Sequence, residues 1–228
     1  MYTIGNYKET DLMGDLVCGN YPMLLVMTRF GIKLGFGDKT IAKVCEENEV
    51  DTKTFLAVVN LLIEDSEENL DLSIHALISY LKNSHSYFLD FKLPSIREKL
   101  VEALGNTNND IALAIIVYYD EYVAEVRKHM LYEEKTVFPY VEALIKKMDF
   151  KKYNINIFSK KHDHVETKLT ELKNIIIKYY PAASSNEINT VLFDIFSCSR
   201  DLASHNEVED KLFVPVIKKM ESNLNSNR

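Results

Sequence analysis

Apolar side chains recur at intervals of three and four residues along most of the chain from residue 71 onward. This spacing is the period of an amphipathic α-helix. Polar clusters interrupt it at residues 105–109 and 181–186, and Pro94 introduces a kink or break. The pattern therefore predicts long helices over residues 71–89 with a continuation at 95–104, 110–148, 154–180 and 187–223. Long helices joined by short connections predict an all-α, antiparallel four-helix bundle.

The first 66 residues carry shorter apolar repeats than the rest of the chain. Residues 1–20 are polar and mixed, which favours a loosely held arm. Short helices are predicted within residues 21–35, 39–48 and 53–64, because potential capping residues precede short apolar stripes. The acidic run 64–69 is typical of a linker. We therefore predict a small three-helix domain over residues 1–66 and the bundle over residues 67–228.

The second and third of these short helices also resemble a helix-turn-helix. DNA binding through residues 52–63 is one interpretation, and a helical packing or dimerisation module is the other. Lys53 is the only basic residue of that stretch, and the helix ends in Glu64 and Asp65. A recognition helix needs more positive charge than this, so the pattern favours the packing module and a homodimer as one possible arrangement.

Composition narrows the class of protein. The chain has 228 residues, of which 46% are apolar and 27% charged, as in ordinary soluble proteins. Its net charge of −7, without a long basic run, argues against nucleic acid as a general partner. We find no signal peptide and no apolar stretch long enough to span a membrane. The three cysteines form no CxxC pair, which favours reduced thiols and a cytoplasmic location.

One short pattern occurs twice within the predicted bundle. His129 and His205 are each followed by Glu, Lys and Pro at offsets of +4, +6 and +10. Residues four apart lie on one face of a helix, one turn apart. Each copy therefore places an imidazole beside a carboxylate, as a metal site requires.

The spacing of two further histidines extends this pattern to four helices. His85 precedes the first His-x-x-x-Glu by 44 residues, and His162 precedes the second by 43. Bundle-core carboxylate di-metal sites are built from inward-facing ligands of this kind, and the equal gaps indicate an internal duplication. The alternative is a set of surface His–Glu pairs, worth a few tenths of a kcal/mol each. The predicted metal ligands are His85, His129, Glu133, His162, His205 and Glu209.

Two histidines are left outside this ligand set. His164 stands two residues after His162, so on a helix the two point in nearly opposite directions. Only the spacing of His162 matches the first half, and His164 is interpreted as a solvent-facing or neighbouring group. His75 lies ten residues before His85 and is predicted to be a surface residue near a helix N-terminus.

The ligand types indicate which metal to expect. Two carboxylates with terminal imidazoles suit a pair of iron ions, with Mn or Zn as alternatives. No cysteine lies near a predicted ligand in sequence, which argues against an iron–sulfur cluster. No residue is assigned a catalytic role.

The runs from His129 to Pro139 and from His205 to Pro215 resemble the hemerythrin-like cation-binding motif. The domain order resembles that of the di-iron proteins for repair of iron centres, over residues 17–217. The resemblance includes Tyr21-Pro22 and residues 29–32 of the N-terminal domain, and Ser84-His85 followed by Pro94. It implies that Glu133 and Glu209 bridge two irons, with the four histidines of the ligand set as terminal ligands.

This chain departs from the repair family at two places. The family has a further histidine in a His-Gly segment, where this chain has residues 104–108 without histidine. This difference implies one of three things: an open position for a small ligand, weaker binding of one metal ion, or a site that holds a single metal ion. The family also carries adjacent cysteines where this chain has residues 35–38, Gly-Phe-Gly-Asp. The N-terminal domain is therefore interpreted as a degenerate copy that serves dimerisation or partner docking.

The resemblance implies a non-haem di-iron protein of the nitric-oxide and oxidative stress response. The more specific function that the resemblance implies is the donation of iron to repair damaged iron–sulfur proteins. The alternative is a sensor or regulatory protein that binds O2 or NO and signals through the N-terminal helices. A third possibility is a helical bundle whose histidines hold no metal.

Overall fold

The computed structural model describes residues 6–65, 71–105, 110–146, 148, 153–158, 163–181 and 185–226, without the side chains of residues 163–167, 185, 225 and 226. Among these residues the chain is helical, as predicted. The predicted domain boundary at residue 66 lies outside the described residues. The chain packs as two compact units: residues 1–84 with 207–228, and residues 85–206.

The first unit contains four short helices near the N-terminus, followed by the start of a fifth helix. Their bounds are α1 (Met13–Gly19), α2 (Met23–Arg29), α3 (Ile41–Glu47), α4 (Thr52–Glu64) and α5 (Ile74–Ser86). The side chain of Thr40 caps α3, and that of Asp51 caps α4. Both caps stand directly before a short apolar stripe, where the sequence predicts capping residues.

The prediction of a loosely held arm at residues 1–20 is wrong for residues 6–20. Met13 and Leu16 are fully buried on α1, and an isolated antiparallel bridge joins Leu12 to Thr40. Asn60 holds the residues before this helix, because its side-chain amide accepts from Tyr7 N–H at 2.8 Å and donates to Tyr7 C=O at 3.0 Å. This helix has seven residues, fewer than two full turns, which is too short for periodicity to reveal it.

The basic residues around α3 are engaged in ion pairs. Lys39 Nζ lies 2.7 Å from Glu47, and Lys43 Nζ lies 2.7 Å from Glu46. These carboxylates reduce the positive charge that this face could offer to a phosphate backbone. Packing and DNA binding both stay predictions for this helix pair.

The second unit is built on four long helices. They are α6 (Leu93–Leu104), α7 (Asp110–Tyr132), α9 (Asp163–Tyr179) and α10 (Ser185–Val208), with the shorter α8 (Phe138–Ile145) after α7. Arg97 pairs with Asp120 between α6 and α7, and Lys168 pairs with Glu125 between α7 and α9.

A continuous apolar core lies between these helices. Its centre includes Tyr119, Tyr122, Leu172 and Ile195, which are all fully buried. Tyr119 uses its hydroxyl to donate a hydrogen bond to the Leu93 carbonyl at 2.8 Å. The apolar face predicted for the helix that starts at residue 110 is confirmed in part. Ile115, Tyr122 and Val126 are buried in the core, whereas Ile111 and Ala114 are exposed.

Three π-helical segments interrupt the long helices, at Tyr87–Lys92, Glu133–Val137 and Glu209–Phe213. A proline follows the end of each, at positions 94, 139 and 215. Proline has no N–H, and its ring collides with the carbonyl four residues earlier in an α-helix. The residue before each proline instead bonds the carbonyl five residues back: Leu93 to Phe88, Phe138 to Glu133 and Val214 to Glu209.

These segments correct the predicted helix boundaries. The kink or break expected at Pro94 is a wider turn within a continuous helical run. The predicted helix over residues 187–223 is divided into α10, a π segment and α11 (Val214–Ser226). The predicted start of a helix near residue 154 is wrong for the described residues there. Ile155–Ile157 forms a 3₁₀ turn, capped by the Asn154 side chain on Asn156 N–H at 2.8 Å.

No helix in the described part of the chain is both long and apolar enough to cross a membrane.

Candidate metal centre

Each half of the duplicated pattern lies where an α-helix passes into a π segment. His129 is on the last turn of α7, and Glu133 is the first residue of the next π segment. His205 is on the last turn of α10, and Glu209 likewise opens a π segment. The fifth helix contributes His85 one residue before its end. The site therefore collects residues from three places where the backbone changes its helical width, a feature that is frequent at functional sites.

Glu133 lies between two imidazoles of the second unit. Its Oε1 is 2.7 Å from His129 Nε2, and its Oε2 is 2.9 Å from His85 Nε2. The first contact is the one-turn pair that the sequence spacing predicts. The second joins residues 48 positions apart and brings the histidine of α5 onto the same carboxylate. Glu133 thus has the two-sided arrangement that a bridging ligand needs.

Aromatic side chains surround the imidazoles. The Phe138 ring stacks on His85 at 5.7 Å with an 18° interplanar angle, and Phe158 stacks on His129 at 6.4 Å and 9°. Phe88 meets the His205 ring edge-on at 6.0 Å. The three phenylalanines are fully or almost fully buried. They fix the planes of the rings and form an apolar wall against water.

Four of the predicted ligands form one compact group: His85, Glu133, His205 and Glu209. One ligand atom from each lies within 4.8 Å of all the others. Their exposed fractions are 1%, 0%, 1% and 0%. A buried carboxylate is costly unless a cation or hydrogen bonds compensate it, and this group contains two. Imidazole nitrogens and carboxylate oxygens at this density fit a metal ion.

The hydrogen bonds at Glu133 determine its protonation. Burial by itself raises the pKa of this carboxyl, but hydrogen bonds from His129 and His85 and the charge of the two rings outweigh it. The net pKa is held below the ordinary value of 4.5. Glu133 is therefore ionised at neutral pH, the form in which a carboxylate binds metal.

The donor types limit the choice of metal. Two imidazoles and two carboxylates, without a thiolate among the four, suit iron or manganese and also permit zinc. The residues of the site thus fit the metal chemistry expected from the sequence. When bound, iron would supply redox chemistry and an affinity for small diatomic ligands.

The remaining predicted ligands have different placements. His129 contacts Glu133 but is not one of the four mutually close residues, and its side chain is 12% exposed. His162 lies outside the described residues, as do the side chain of His164 and residues 106–109, where the expected histidine is missing. His75 is exposed on the first turn of α5, as predicted.

Sequence reasoning missed one residue of this neighbourhood, Glu134. Its Oε1 lies 3.0 Å from His85 Nδ1, on the side of the ring opposite Glu133. A clue was present, because both copies of the pattern have an acidic residue directly after the ligand Glu: Glu134 in the first and Asp210 in the second. Neighbouring helical residues normally diverge, so nothing in an α-helical projection indicates that Glu134 reaches the same histidine.

Comparison with known proteins assigns the family. No curated protein matches the chain significantly. Residues 76–217 match the hemerythrin HHE cation binding domain, which covers more than half of the chain and contains all four members of the compact group. Position, donor chemistry and sequence match agree, and the chain belongs to the hemerythrin HHE cation-binding family.

Proposed function

We propose that the protein binds two non-haem iron ions and serves in the response to nitric oxide or oxidative stress. The observation that carries this proposal is the compact, buried group of His85, Glu133, His205 and Glu209. The proposed ligand set also includes His129 and His162, and Mn or Zn are the alternative metals. Two buried carboxylates supply the negative charge that a pair of divalent ions requires.

The surroundings of the proposed centre suit a small ligand. Phe88, Phe138 and Phe158 line the imidazoles and exclude bulk water. Glu133, held between His85 and His129, is placed to bridge, and Glu209 follows His205 by one turn in the same manner. O2 and NO are the proposed ligands. The finer proposal, drawn from the resemblance to the repair family, is that the protein donates iron to damaged iron–sulfur proteins in the cytoplasm.

Metal binding is tested by loading the purified chain with Fe(II) under anaerobic conditions and measuring iron per chain. The variants Glu133→Ala and His205→Ala are expected to lose most of the iron. His75→Ala is the matched control, because His75 is an exposed histidine of α5 outside the site. Equal iron content in all four proteins would reject the site.

Repair is tested separately with a target protein whose iron–sulfur cluster has been nitrosylated. The iron-loaded protein is expected to restore the cluster absorbance and activity of the target. The metal-free protein and an equal amount of free Fe(II) are the controls. Recovery no greater than with free Fe(II) would overturn iron donation, while the metal-binding proposal would stand.

One observation favours the alternative of an O2 or NO sensor. Helix α5 contains a proposed ligand, His85, and also the residues that contact the N-terminal helices. Asn83 donates its amide to the Arg29 carbonyl at 2.7 Å, and the Tyr80 ring lies 5.0 Å from that of Phe30. A shift of His85 on ligand binding would therefore act on a helix that is already attached to α2.

The sensor alternative predicts a change in the N-terminal unit when the iron-loaded protein binds NO. Hydrogen exchange of α2 and α5 is the measurement, with Asn83→Ala as a variant that removes the contact to Arg29. Sensing predicts altered exchange in the wild-type chain and a smaller change in the variant. Identical exchange of α2 with and without NO would argue against signalling through this helix.

A further inference from the structure

We propose that Glu134 is a positioning residue that sets the ring orientation of His85 at the metal centre. This inference rests on the proposed metal site. Glu134 Oε1 lies 3.0 Å from His85 Nδ1, while the other ring nitrogen, Nε2, lies 2.9 Å from Glu133 Oε2. Two consecutive carboxylates thus contact the two nitrogens of one imidazole.

The chemistry of the pair fixes the direction of the hydrogen bond. When Nε2 binds a metal, the neutral imidazole carries its proton on Nδ1, which can donate it to Glu134 Oε1 at 3.0 Å. The lone pair then belongs to Nε2, which is the nitrogen that faces Glu133 and the compact group. Such outer carboxylates fix the tautomer of a metal-binding histidine and raise its basicity.

Other contacts of the ring do not perform this task. Phe138 stacks on His85 at an interplanar angle of 18°, which restrains the plane of the ring but does not distinguish its two nitrogens. His205 meets the ring edge-on at 5.3 Å. Among the described residues, Glu134 is the contact at Nδ1, and together with Glu133 at Nε2 it selects between the two orientations related by a ring flip.

The different burial of the two carboxylates matches their different roles. Glu133 is fully buried and belongs to the compact group, whereas the Glu134 side chain is 38% exposed and stands outside it. Glu134 is therefore close enough to hold His85 without belonging to the group that would bind the metal. It interacts with the metal through His85 rather than directly.

The backbone explains how neighbouring residues reach one ring. In an α-helix, consecutive side chains point about 100° apart. Glu133 and Glu134 instead open the π segment Glu133–Val137, in which Phe138 N–H bonds the Glu133 carbonyl. The wide turn, which ends just before Pro139, presents both carboxylates to His85.

The test measures Co(II) affinity by competition with a chromophoric chelator, using the full chain and its variants Glu134→Ala and Glu134→Gln. Loss of a carboxylate of this type weakens metal binding by about 10- to 100-fold, which is the expectation for Glu134→Ala. Glu134→Gln keeps an acceptor oxygen without the charge, so an intermediate affinity is expected. Glu142→Ala is the matched control, because Glu142 is exposed on the adjacent helix α8, and its affinity should equal that of the wild type.

Two further readouts separate the possible outcomes. The visible spectrum of bound Co(II) is expected to change in Glu134→Ala, whereas a purely structural role would lower the melting temperature of the metal-free chain and leave that spectrum unchanged. Unchanged Co(II) affinity and spectrum in Glu134→Ala would overturn the inference and leave the metal site standing. Failure of the wild-type chain to bind Co(II) or Fe(II) would overturn the proposed function, and this inference with it.

Discussion

Asp194 and Glu133 are two carboxylates of the second unit, and each is stabilised by a different kind of partner. Asp194 has one oxygen 2.7 Å from Lys92 Nζ and the other 2.7 Å from Lys99 Nζ. Glu133 lies between the imidazoles of His85 and His129. Lysine stays charged at neutral pH, whereas an imidazole can also bind a metal through a ring nitrogen. Asp194 therefore has permanent cationic partners, and Glu133 is the carboxylate better suited to a metal ion.

Asp194→Asn is expected to lower the free energy of unfolding at pH 7 by about 1 kcal/mol, since two partly buried ion pairs are lost. Burial raises the pKa of Asp194, but hydrogen bonds and charges from Lys92 and Lys99 outweigh it and hold the pKa below 3.8. A lowered pKa stabilises the fold above the unfolded-state pKa of about 3.9, and the stabilisation fades as pH falls through the lower folded-state value.

Urea unfolding of the wild type and Asp194→Asn at several pH values between 2 and 7 measures this effect. The difference between the two proteins should be constant above about pH 5 and shrink in acid. Glu98→Gln, an exposed acid on the same helix as Lys99, is the control and should show little difference at either extreme. A difference between wild type and Asp194→Asn that grew in acid would contradict this account.

At the scale of elements, the prolines and the π segments determine where the ligands point. Pro139 follows the segment that begins at Glu133, and Pro215 follows the segment that begins at Glu209. The recurrence of proline at the same distance from both histidines thus has a structural reason. Each proline prevents a regular α-turn and favours a wide one next to the metal centre.

Pro139→Ala restores an N–H and removes the ring that excludes a regular α-helix. We expect the metal-free variant to melt at the same or a higher temperature, because proline inside a helix costs about 3 kcal/mol or more. Fe(II) binding should nevertheless weaken about tenfold, since Glu133 and Glu134 would no longer share one wide turn. Circular dichroism and chelator competition measure the two quantities.

Pro181→Ala is the matched control, because Pro181 is exposed and follows α9 rather than a ligand. Its Fe(II) affinity should equal that of the wild type. If Pro139→Ala bound Fe(II) as tightly as Pro181→Ala, the π segment would not be needed to place the ligands.

The presence of the helices was easier to predict from the sequence than the width of their turns. The apolar repeats of residues 110–130 and the spacing of His129 from Glu133 are local, so α7 and the first imidazole–carboxylate pair followed from them. The equal gaps of the two halves predicted that His85 and Glu133 belong to one site, but not that the two side chains are in direct contact. The widths of the π turns and the placement of Glu134 depend on contacts between distant residues, which periodicity does not record.

At the scale of the whole molecule, metal binding and stability are expected to be linked. The compact group places two carboxylates, Glu133 and Glu209, at 0% exposure. A cation that binds the folded chain and not the unfolded one stabilises it by about 2.7 kcal/mol at a free concentration of 100 times Kd. The metal also relieves the cost of keeping two negative charges near one another.

The iron-loaded protein is therefore expected to melt at a higher temperature than the metal-free protein, as measured by calorimetry under anaerobic conditions. His205→Ala should show a much smaller rise on addition of Fe(II). His75→Ala should behave like the wild type. Equal melting temperatures for the loaded and metal-free wild type would argue against a buried site.

The most direct test of the central claim is the iron content of the anaerobically loaded wild-type chain, measured together with its Mössbauer spectrum. The account predicts two iron ions per chain in a coupled non-haem site, and their loss in a variant that combines His85→Ala with Glu133→Ala. Iron in the wild type no higher than in this double variant would contradict it.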